Sequence, residues 1–167
     1  MAGAAGRGYP CLWETGSPAN GDCASNSKLE AEIMKYVELD RKDRELIQAA
    51  SDVLEKNYRE PRHTVGAAVL CASGKTYAGV NVDSCGYGPC AEPIAVGRAI
   101  SDGERDIKRI VAVGGVRSPH NVMSPCGNCR QLIFDYSPDC WVILTHRQKV
   151  VKIKARELIP DAYSNLG

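Results

Sequence analysis

Apolar residues recur with two different periods along the chain, and the period changes near residue 61. Between residues 28 and 60 they recur every three or four positions, which is typical of amphipathic helices. Leu29, Ile33 and Val37 predict a short helix, and Asp40 predicts the N-cap of a longer one that ends before Pro61. The apolar face of the longer helix consists of Leu46, Ile47, Ala50, Val53 and Leu54.

Beyond residue 61, short apolar runs bounded by turn residues predict strands. The five predicted strands span residues 65–71, 76–82, 109–114, 141–145 and 150–153. A turn at Ser73-Gly74 joins the first two strands. The three further helices that we predict run from Gly88-Pro89 to about Ser101, from Ser124-Pro125 onward, and over residues 155–158. Helices that alternate with strands predict an α/β fold whose sheet is covered on both faces.

Composition changes this picture only at the N-terminus. Residues 1–26 are rich in Gly, Ala, Ser, Asn and Pro and have no sustained apolar period. We expect them to form an extension that is either flexible or docked through Leu12 and Trp13. Residues 27–167 then form one domain, which is long enough to bury a core.

Charge and hydropathy exclude several classes of partner. The formal net charge of +1 provides no excess for binding nucleic acid or an anionic membrane. No apolar run approaches the roughly 18 residues that a membrane span needs. The N-terminus has no basic stretch followed by an apolar one, so we expect a cytoplasmic protein. Its eight cysteines are then expected to be thiols or metal ligands rather than disulfides.

Two of the predicted helix starts carry cysteines in similar surroundings. With Ser124-Pro125 as the N-cap and first helical residue, Cys126 and Cys129 lie on one face of the helix. Gly88-Pro89 precedes Cys90 in the same manner. If the two helix starts face each other, three thiolates converge in the positive field of two helix N-termini. Three cysteine ligands with one open position are typical of a catalytic zinc site.

Glu92 follows Cys90 by two residues, so the two side chains do not share a helix face. Side chains in a first helical turn lean back beyond the N-terminus, so Glu92 can still lie beside the open zinc position without being a ligand. A carboxylate in this place can take a proton from water and pass it on. We therefore predict Cys90, Cys126 and Cys129 as zinc ligands and Glu92 as the catalytic residue.

The segment Cys-Ala-Glu, followed after a spacer by Pro-Cys-x-x-Cys, resembles the zinc signature of the cytidine deaminase superfamily. The resemblance implies a three-layer α/β/α sandwich with a mixed five-stranded sheet, the cytidine deaminase fold. It also implies one Zn²⁺ per subunit and a homotetramer. In such enzymes an activated water attacks C4 of cytosine while a glutamate that does not bind zinc acts as acid and base.

Further residues place the chain within that superfamily. A cysteine as first zinc ligand is similar to the deaminases of free nucleosides, in which an Asn-Val-Glu motif holds the ribose; here Asn81 matches and Asp83 replaces the glutamate. Cytidine deaminases usually have Arg after the catalytic Glu and an aromatic-Pro pair before Val-Gly-Ala-Ala. Here these positions hold Pro93 and His63-Thr64, departures that blasticidin S deaminases share.

The C-terminal segment RELIPDAY resembles the end of the blasticidin S deaminases, whose terminal tyrosine contributes to the substrate pocket. On this resemblance Tyr163 and Thr64 are expected to line the pocket, together with Ala91 and His120. The substrate is then a cytosine nucleoside or a nucleoside antibiotic, and the most similar activity is that of a blasticidin S deaminase.

Three other functions agree with parts of this pattern. A housekeeping cytidine or deoxycytidine deaminase would explain Asn81 and the acidic residue at position 83. A zinc-binding module without catalysis would explain the cysteines but not Glu92, because a structural site closes its fourth position with a protein ligand. A thiol-redox protein would leave Cys90 and Glu92 unexplained. We further predict that Arg130, or the amides at the helix starts, offsets the charge of three thiolates.

The remaining polar residues are expected to be ordinary surface groups. The basic residues of the last strand and of the segment that follows predict a solvated edge-strand face. These residues are Lys149, Lys152, Lys154 and Arg156.

Overall fold

The computed structural model describes residues 36–163. The helices are α1 (Arg41–Asn57), α2 (Ala91–Ser101), α3 (Gly127–Tyr136) and a final 3₁₀ turn (Ala155–Leu158). The strands are β1 (Val65–Cys71), β2 (Thr76–Val80), β3 (Ile107–Gly114), β4 (Asn121–Met123), β5 (Trp141–His146) and β6 (Lys149–Lys154). No helix in this part of the chain has the length and apolar character that crossing a membrane requires.

The five predicted strands form one mixed sheet in the order β2–β1–β3–β5–β6. Strand β1 is antiparallel to β2 and β3, β5 is parallel to β3, and β6 is antiparallel to β5. The three-residue strand β4, which the sequence did not predict, pairs with the end of β3. The predicted fold is confirmed, with this sixth short strand added.

Helices cover both faces of the sheet, because neighbouring strand residues point to opposite sides. On one face, Leu46 and Leu54 of α1 pack against Ala68, Val111 and Ile143. On the other face, α2 and α3 pack against the alternate strand positions. The residues of this second core include Ala67, Val69, Ala95, Ala99, Ile110, Ile133 and Val142. The result is the three-layer sandwich that the alternation of helices and strands predicted.

The start of α1 confirms one prediction and corrects another. Asp40 is the N-cap: its Oδ1 atom accepts from the Asp43 amide over 3.2 Å, and its own amide donates to Asp43 Oδ2 over 2.8 Å. The prediction that Val37 belongs to a helix is wrong, since Val37 pairs with Lys152 in an antiparallel bridge. Two backbone hydrogen bonds of 2.8 and 2.9 Å hold it there, because the edge of β6 offers unpaired groups. Leu29 and Ile33 lie outside the described residues, as does the predicted extension.

A network of two acids and two bases joins α1 to the sheet. The ammonium of Lys152 lies 2.8 Å from Asp40 Oδ2 and 2.6 Å from Asp43 Oδ2. Arg109 pairs with the same two carboxylates. The expectation that Lys152 is solvated is therefore wrong: it is only 5% exposed, because the acidic residues of α1 cover that part of β6.

The network predicts a loss of stability in acid. Hydrogen bonds from Arg109 and then Lys152 hold the pKa of Asp40 well below its ordinary value of 3.8. The folded state then binds fewer protons than the unfolded state, so the contribution of Asp40 is complete above about pH 4 and is lost as pH falls below it. Asp40 is half exposed, which limits the effect to about 1 kcal/mol.

We expect urea unfolding at several pH values to show this slope and Asp40→Asn to flatten it. Asp52→Asn, which changes an exposed carboxylate on the outside of α1, is the control. Equal slopes for Asp40→Asn and the unmodified protein would contradict the prediction.

Candidate active site

Two helices begin at corresponding cysteines. Cys90 is the N-cap of α2 with φ −60° and ψ 169°, and Cys126 is the N-cap of α3 with φ −69° and ψ 170°. The predicted N-caps, Gly88 and Ser124, are each two residues too early. Pro89 belongs to the preceding loop, where its carbonyl accepts from the Val82 amide over 3.1 Å.

The Ser124 hydroxyl is likewise used outside its helix, since it donates to the Thr145 carbonyl over 3.0 Å. The expected similarity of the two helix starts holds, with the cysteines themselves in the capping position.

The structure brings the three predicted cysteines together. Their Sγ atoms all lie within 4.8 Å of one another, and Cys90 Sγ is 3.9 Å from Cys126 Sγ. Tetrahedral zinc with Zn–S bonds of about 2.3 Å places two sulfurs about 3.8 Å apart, so this donor set fits zinc. Within residues 36–163 the group contains no fourth His, Cys, Asp or Glu. Three protein ligands would therefore leave one position open, as in catalytic zinc sites.

The local electrostatics differ among the three thiols. Burial acts to raise the pKa of Cys126, but hydrogen bonds from the Cys129 and Asn128 amides, together with those from the neighbouring thiols, lower it overall. Burial raises the pKa of Cys90 and Cys129, and the nearby Glu92 charge raises both further. The amides of the α3 start thus favour thiolate at Cys126, while their compensation of the charge of three zinc-bound thiolates stays a prediction.

Glu92 lies beside the cysteines at the second position of α2 and is only 6% exposed. Its charge acts on both Cys90 and Cys129, yet it is not a member of the metal-binding group. Close packing of α2 on β2 sets this position. A Cβ atom at Gly79 would lie 2.6 Å from Ile94 Cγ2, so only glycine lets the helix approach so near.

A cavity of about 210 Å³ opens onto this group. Cys90, Cys126 and Glu92 form part of its wall, and the predicted residues Asn81, Asp83 and Ala91 form another part. Thr64 is not among the described lining residues, although its neighbour Val65 is. The sequence missed Val82, Met123 and Ser124, which also line the cavity. Met123 and Ser124 lie just before the Pro-Cys-x-x-Cys motif, and this position in the sequence could have predicted that they line the cavity.

Asn81 uses its side chain to hold the cavity wall in place. Its Oδ1 atom accepts from the Thr64 and Val65 amides over 2.8 and 2.9 Å. Its Nδ2 atom donates to the Arg62 carbonyl over 3.2 Å. Asn81 therefore ties the start of β1 to the end of β2, and a direct contact of Asn81 with substrate stays a prediction.

His120 and Tyr163 lie elsewhere in the described chain. The His120 side chain is buried, with Nδ1 3.1 Å from the Gly115 carbonyl and Nε2 3.7 Å from Glu55 of α1. Tyr163 is 73% exposed, and its carbonyl accepts from Gln131 of α3 over 2.9 Å. Neither residue is among those that line the cavity within the described chain, so their pocket roles stay predictions.

Arg130 connects the cysteine loop to the C-terminal segment. Its Nε atom donates to the Pro125 carbonyl over 3.0 Å, and Nη1 donates to the Leu158 carbonyl over 3.3 Å. These contacts fix the residue before Cys126. Compensation of thiolate charge by Arg130 stays a prediction.

We expect Cys126→Ser to remove bound metal. Loss of a direct ligand should exceed the effect of losing an outer partner, which lowers zinc affinity about 10–100-fold. Metal content per chain after exchange into buffer with a weak chelator measures this. Cys85→Ser is the matched control, because Cys85 is exposed and outside the group. Equal zinc content in both variants would contradict the assignment.

The sandwich fold and the three-cysteine group with a buried glutamate beside it define a metalloprotein with a site for one metal ion. The chain belongs to the family described as "Cytidine and deoxycytidylate deaminase zinc-binding region", whose sequence model matches residues 40–145. The resemblance drawn from the cysteine and glutamate motifs is thus confirmed, and so is zinc as the metal of the family.

Individual relatives agree with this assignment. The chain is 38% identical to a blasticidin-S deaminase of Bacillus cereus, over 78% of this chain and 99% of that protein. It is 36% identical to a cytidine deaminase of Halalkalibacterium halodurans, over 62% of this chain and 79% of that protein.

Among solved structures, a cytidine deaminase from Burkholderia pseudomallei superposes with a TM-score of 0.61 at 34% identity, covering 75% of this chain and all of that one. The cytidine deaminase from Mycobacterium tuberculosis gives a TM-score of 0.63 at 27% identity, covering 75% of this chain and 99% of that one.

Proposed function

We propose that the protein is a zinc-dependent hydrolytic deaminase that converts the cytosine ring of a nucleoside-type small molecule to uracil and ammonia. One observation carries this proposal. Three cysteines meet at two helix starts, with a buried glutamate beside them, and the group opens into a cavity. A purely structural zinc site has neither an open position nor a use for that carboxylate.

Cys90, Cys126 and Cys129 would hold the zinc, which when bound supplies a Lewis acid that makes a water molecule nucleophilic near neutral pH. Glu92 accepts the proton that this water loses on attack at C4 of the ring. It delivers this proton to ring N3. It then takes the second proton, from the hydroxyl group now on C4, and passes it to the departing amine, so that the C4–N bond breaks and ammonia leaves. Its burial keeps bulk water away from these transfers and strengthens the electrostatic interactions within the site.

The size and charge of the site favour a small substrate. A cavity of about 210 Å³ holds a pyrimidine ring but not a folded polynucleotide. The described residues that line it include no Lys or Arg, whereas nucleic-acid grooves need many cations. We therefore propose a free nucleoside or nucleoside antibiotic as substrate, with no role for nucleic acid or membrane.

Within this class, we favour a substrate like that of the blasticidin-S deaminase relative. The match to that protein spans nearly its whole length, and the residue after Glu92 is Pro93, a departure from cytidine deaminases that resembles the blasticidin S deaminases. The alternative is cytidine or deoxycytidine, which Asn81 and Asp83 in the cavity wall support.

Absorbance-monitored deamination by the zinc-loaded protein tests these assignments, with cytidine, deoxycytidine and blasticidin S measured in parallel. Turnover of blasticidin S with little turnover of cytidine would support an antibiotic-inactivating role. Preference for cytidine would support the housekeeping enzyme. Zinc binding without turnover of any of the three would support a module that has lost catalysis.

We also propose that the protein is a homotetramer, as the family resemblance implied, and that it is cytoplasmic, as the sequence of its N-terminus implied. An open groove beside α2 supports self-association, and Pro93, Ile94 and Gly97 are among the residues that line it. A Cβ atom at Gly97 would meet nothing within 4 Å in the single chain. Light scattering should give four times the chain mass of 18.0 kDa.

A further inference from the structure

The rim of the cavity carries a positive charge that the proposed reaction does not use. Arg62 is exposed, and its Nη1 atom donates to the carbonyl oxygen of Asp83 over 3.0 Å. Asp83 itself lines the cavity. The guanidinium therefore lies in contact with the wall, at the end where Asp83 is exposed to solvent.

Hydrogen bonds on two sides fix the place of Arg62. Its carbonyl accepts from the Asp83 amide over 3.3 Å and from Asn81 Nδ2 over 3.2 Å. Its side chain then returns to the Asp83 carbonyl. Both the backbone and the guanidinium of Arg62 are thus held to the cavity wall, unlike those of a surface arginine that moves freely.

The positive charge of Arg62 is not neutralised by any carboxylate within the part of the chain that the structure describes. Among residues 36–163, no carboxylate forms an ion pair with this guanidinium. One of its N–H groups donates to a neutral carbonyl oxygen, and other N–H groups can donate to a ligand. The charged groups in the described cavity wall itself are the carboxylates Asp83 and Glu92. An anionic ligand would be repelled by these two groups, and Arg62 is placed to offset that repulsion.

The orientation of the substrate follows from the proposed function, on which this inference rests. The reacting ring must lie at the buried Glu92, so the sugar points along the wall toward exposed Asp83. We propose that Arg62 is a specificity-determining residue that binds an oxyanion, either carboxylate or phosphate, carried by the sugar of the substrate. The planar guanidinium suits both groups, because its paired N–H donors match two oxygens.

Binding of product analogues tests this without depending on turnover. We would titrate the zinc-loaded full chain with uridine, uridine 5′-monophosphate and uridine 5′-carboxylic acid in a calorimeter. We expect at least one oxyanion-bearing ligand to bind about tenfold more tightly than uridine, and this preference to weaken in high salt. The phosphate and carboxylate arms show which oxyanion the site takes.

Arg62→Ala should weaken binding of the preferred oxyanion-bearing ligand about tenfold more than it weakens binding of uridine, and Arg62→Lys should keep part of the preference. Arg59→Ala is the matched control, since Arg59 is exposed and makes no hydrogen bond to a described lining residue. An equal loss for all three ligands in Arg62→Ala would show a structural role only. Absence of the preference in the unmodified protein would also overturn the inference.

Cytidine turnover by the unmodified protein separates the two possible failures. Turnover without oxyanion preference overturns the role of Arg62 alone. Absence of turnover of every cytosine compound, with no binding of any uridine ligand, overturns the proposed function and this inference with it.

Discussion

Glu92→Gln is expected to lower kcat about 10²–10⁴-fold or more, because a positioned acid–base group contributes a factor of this size. The amide has nearly the size of the carboxylate but cannot accept the proton of the attacking water or deliver it to the ring. Steady-state deamination of whichever cytosine substrate is turned over measures the loss. The effect should fall on kcat more than on KM, because Glu92 acts on protons that move only during the reaction.

The same variant should keep its zinc and its stability. The Glu92 charge raises the pKa of Cys90 and Cys129, so a neutral amide makes thiolate formation easier there. Metal content and the urea midpoint should therefore match those of the unmodified protein. Glu45→Gln, an exposed change on α1, is the control for the charge difference. An active, zinc-loaded Glu92→Gln protein would show that the proposed mechanism is wrong.

Asp43→Ala is expected to lower the free energy of unfolding by about 3–5 kcal/mol. Asp43 is fully buried, and its Oδ2 atom lies 2.6 Å from the ammonium of Lys152, which is itself 5% exposed. Removing the carboxylate leaves a buried cation with only half-exposed Asp40 as a partner. The capping box of α1 is lost as well, since Asp43 accepts from the Asp40 amide.

Urea unfolding measures this loss, with Glu45→Ala as the control. Glu45 lies on the same helix in an exposed pair with Arg41, so its removal should cost under about 1 kcal/mol. The double variant Asp43→Leu with Lys152→Leu should recover much of the stability, because Asp40 and Arg109 remain paired. A double variant no more stable than Asp43→Ala would contradict the buried-charge explanation. Deamination should persist in Asp43→Ala below its unfolding transition, because neither Asp43 nor Lys152 lines the cavity.

Local patterns were sufficient for much of the fold. The short apolar runs of β1 and β3 predicted strands that the structure contains, because burial within a covered sheet requires those residue types. The cap at Asp40 was equally readable, since capping depends on groups three residues apart.

Patterns failed where a distant segment decided the outcome. Val37 fits a helical period but pairs with Lys152, which is more than a hundred residues later. Lys152 looks like a surface lysine until Asp40 and Asp43 cover it. The two helices begin two residues later than predicted because the proline before each cysteine has its carbonyl bonded elsewhere.

The sequence by itself determined the chemical inventory of this protein: three thiols and one carboxylate at two Pro-Cys motifs, and hence the family and its metal. The metal ligands and the proton-transfer group depend on residue types at short sequence spacing, and the sequence shows both directly. Only the tertiary structure decided that the sulfurs of Cys90 and Cys126 lie 3.9 Å apart, and that Arg62 sits at the cavity rim while His120 lies against Glu55 of α1. Those distances depend on how α2, α3 and the loops pack on the sheet, and packing is a property of contacts between residues far apart in the chain.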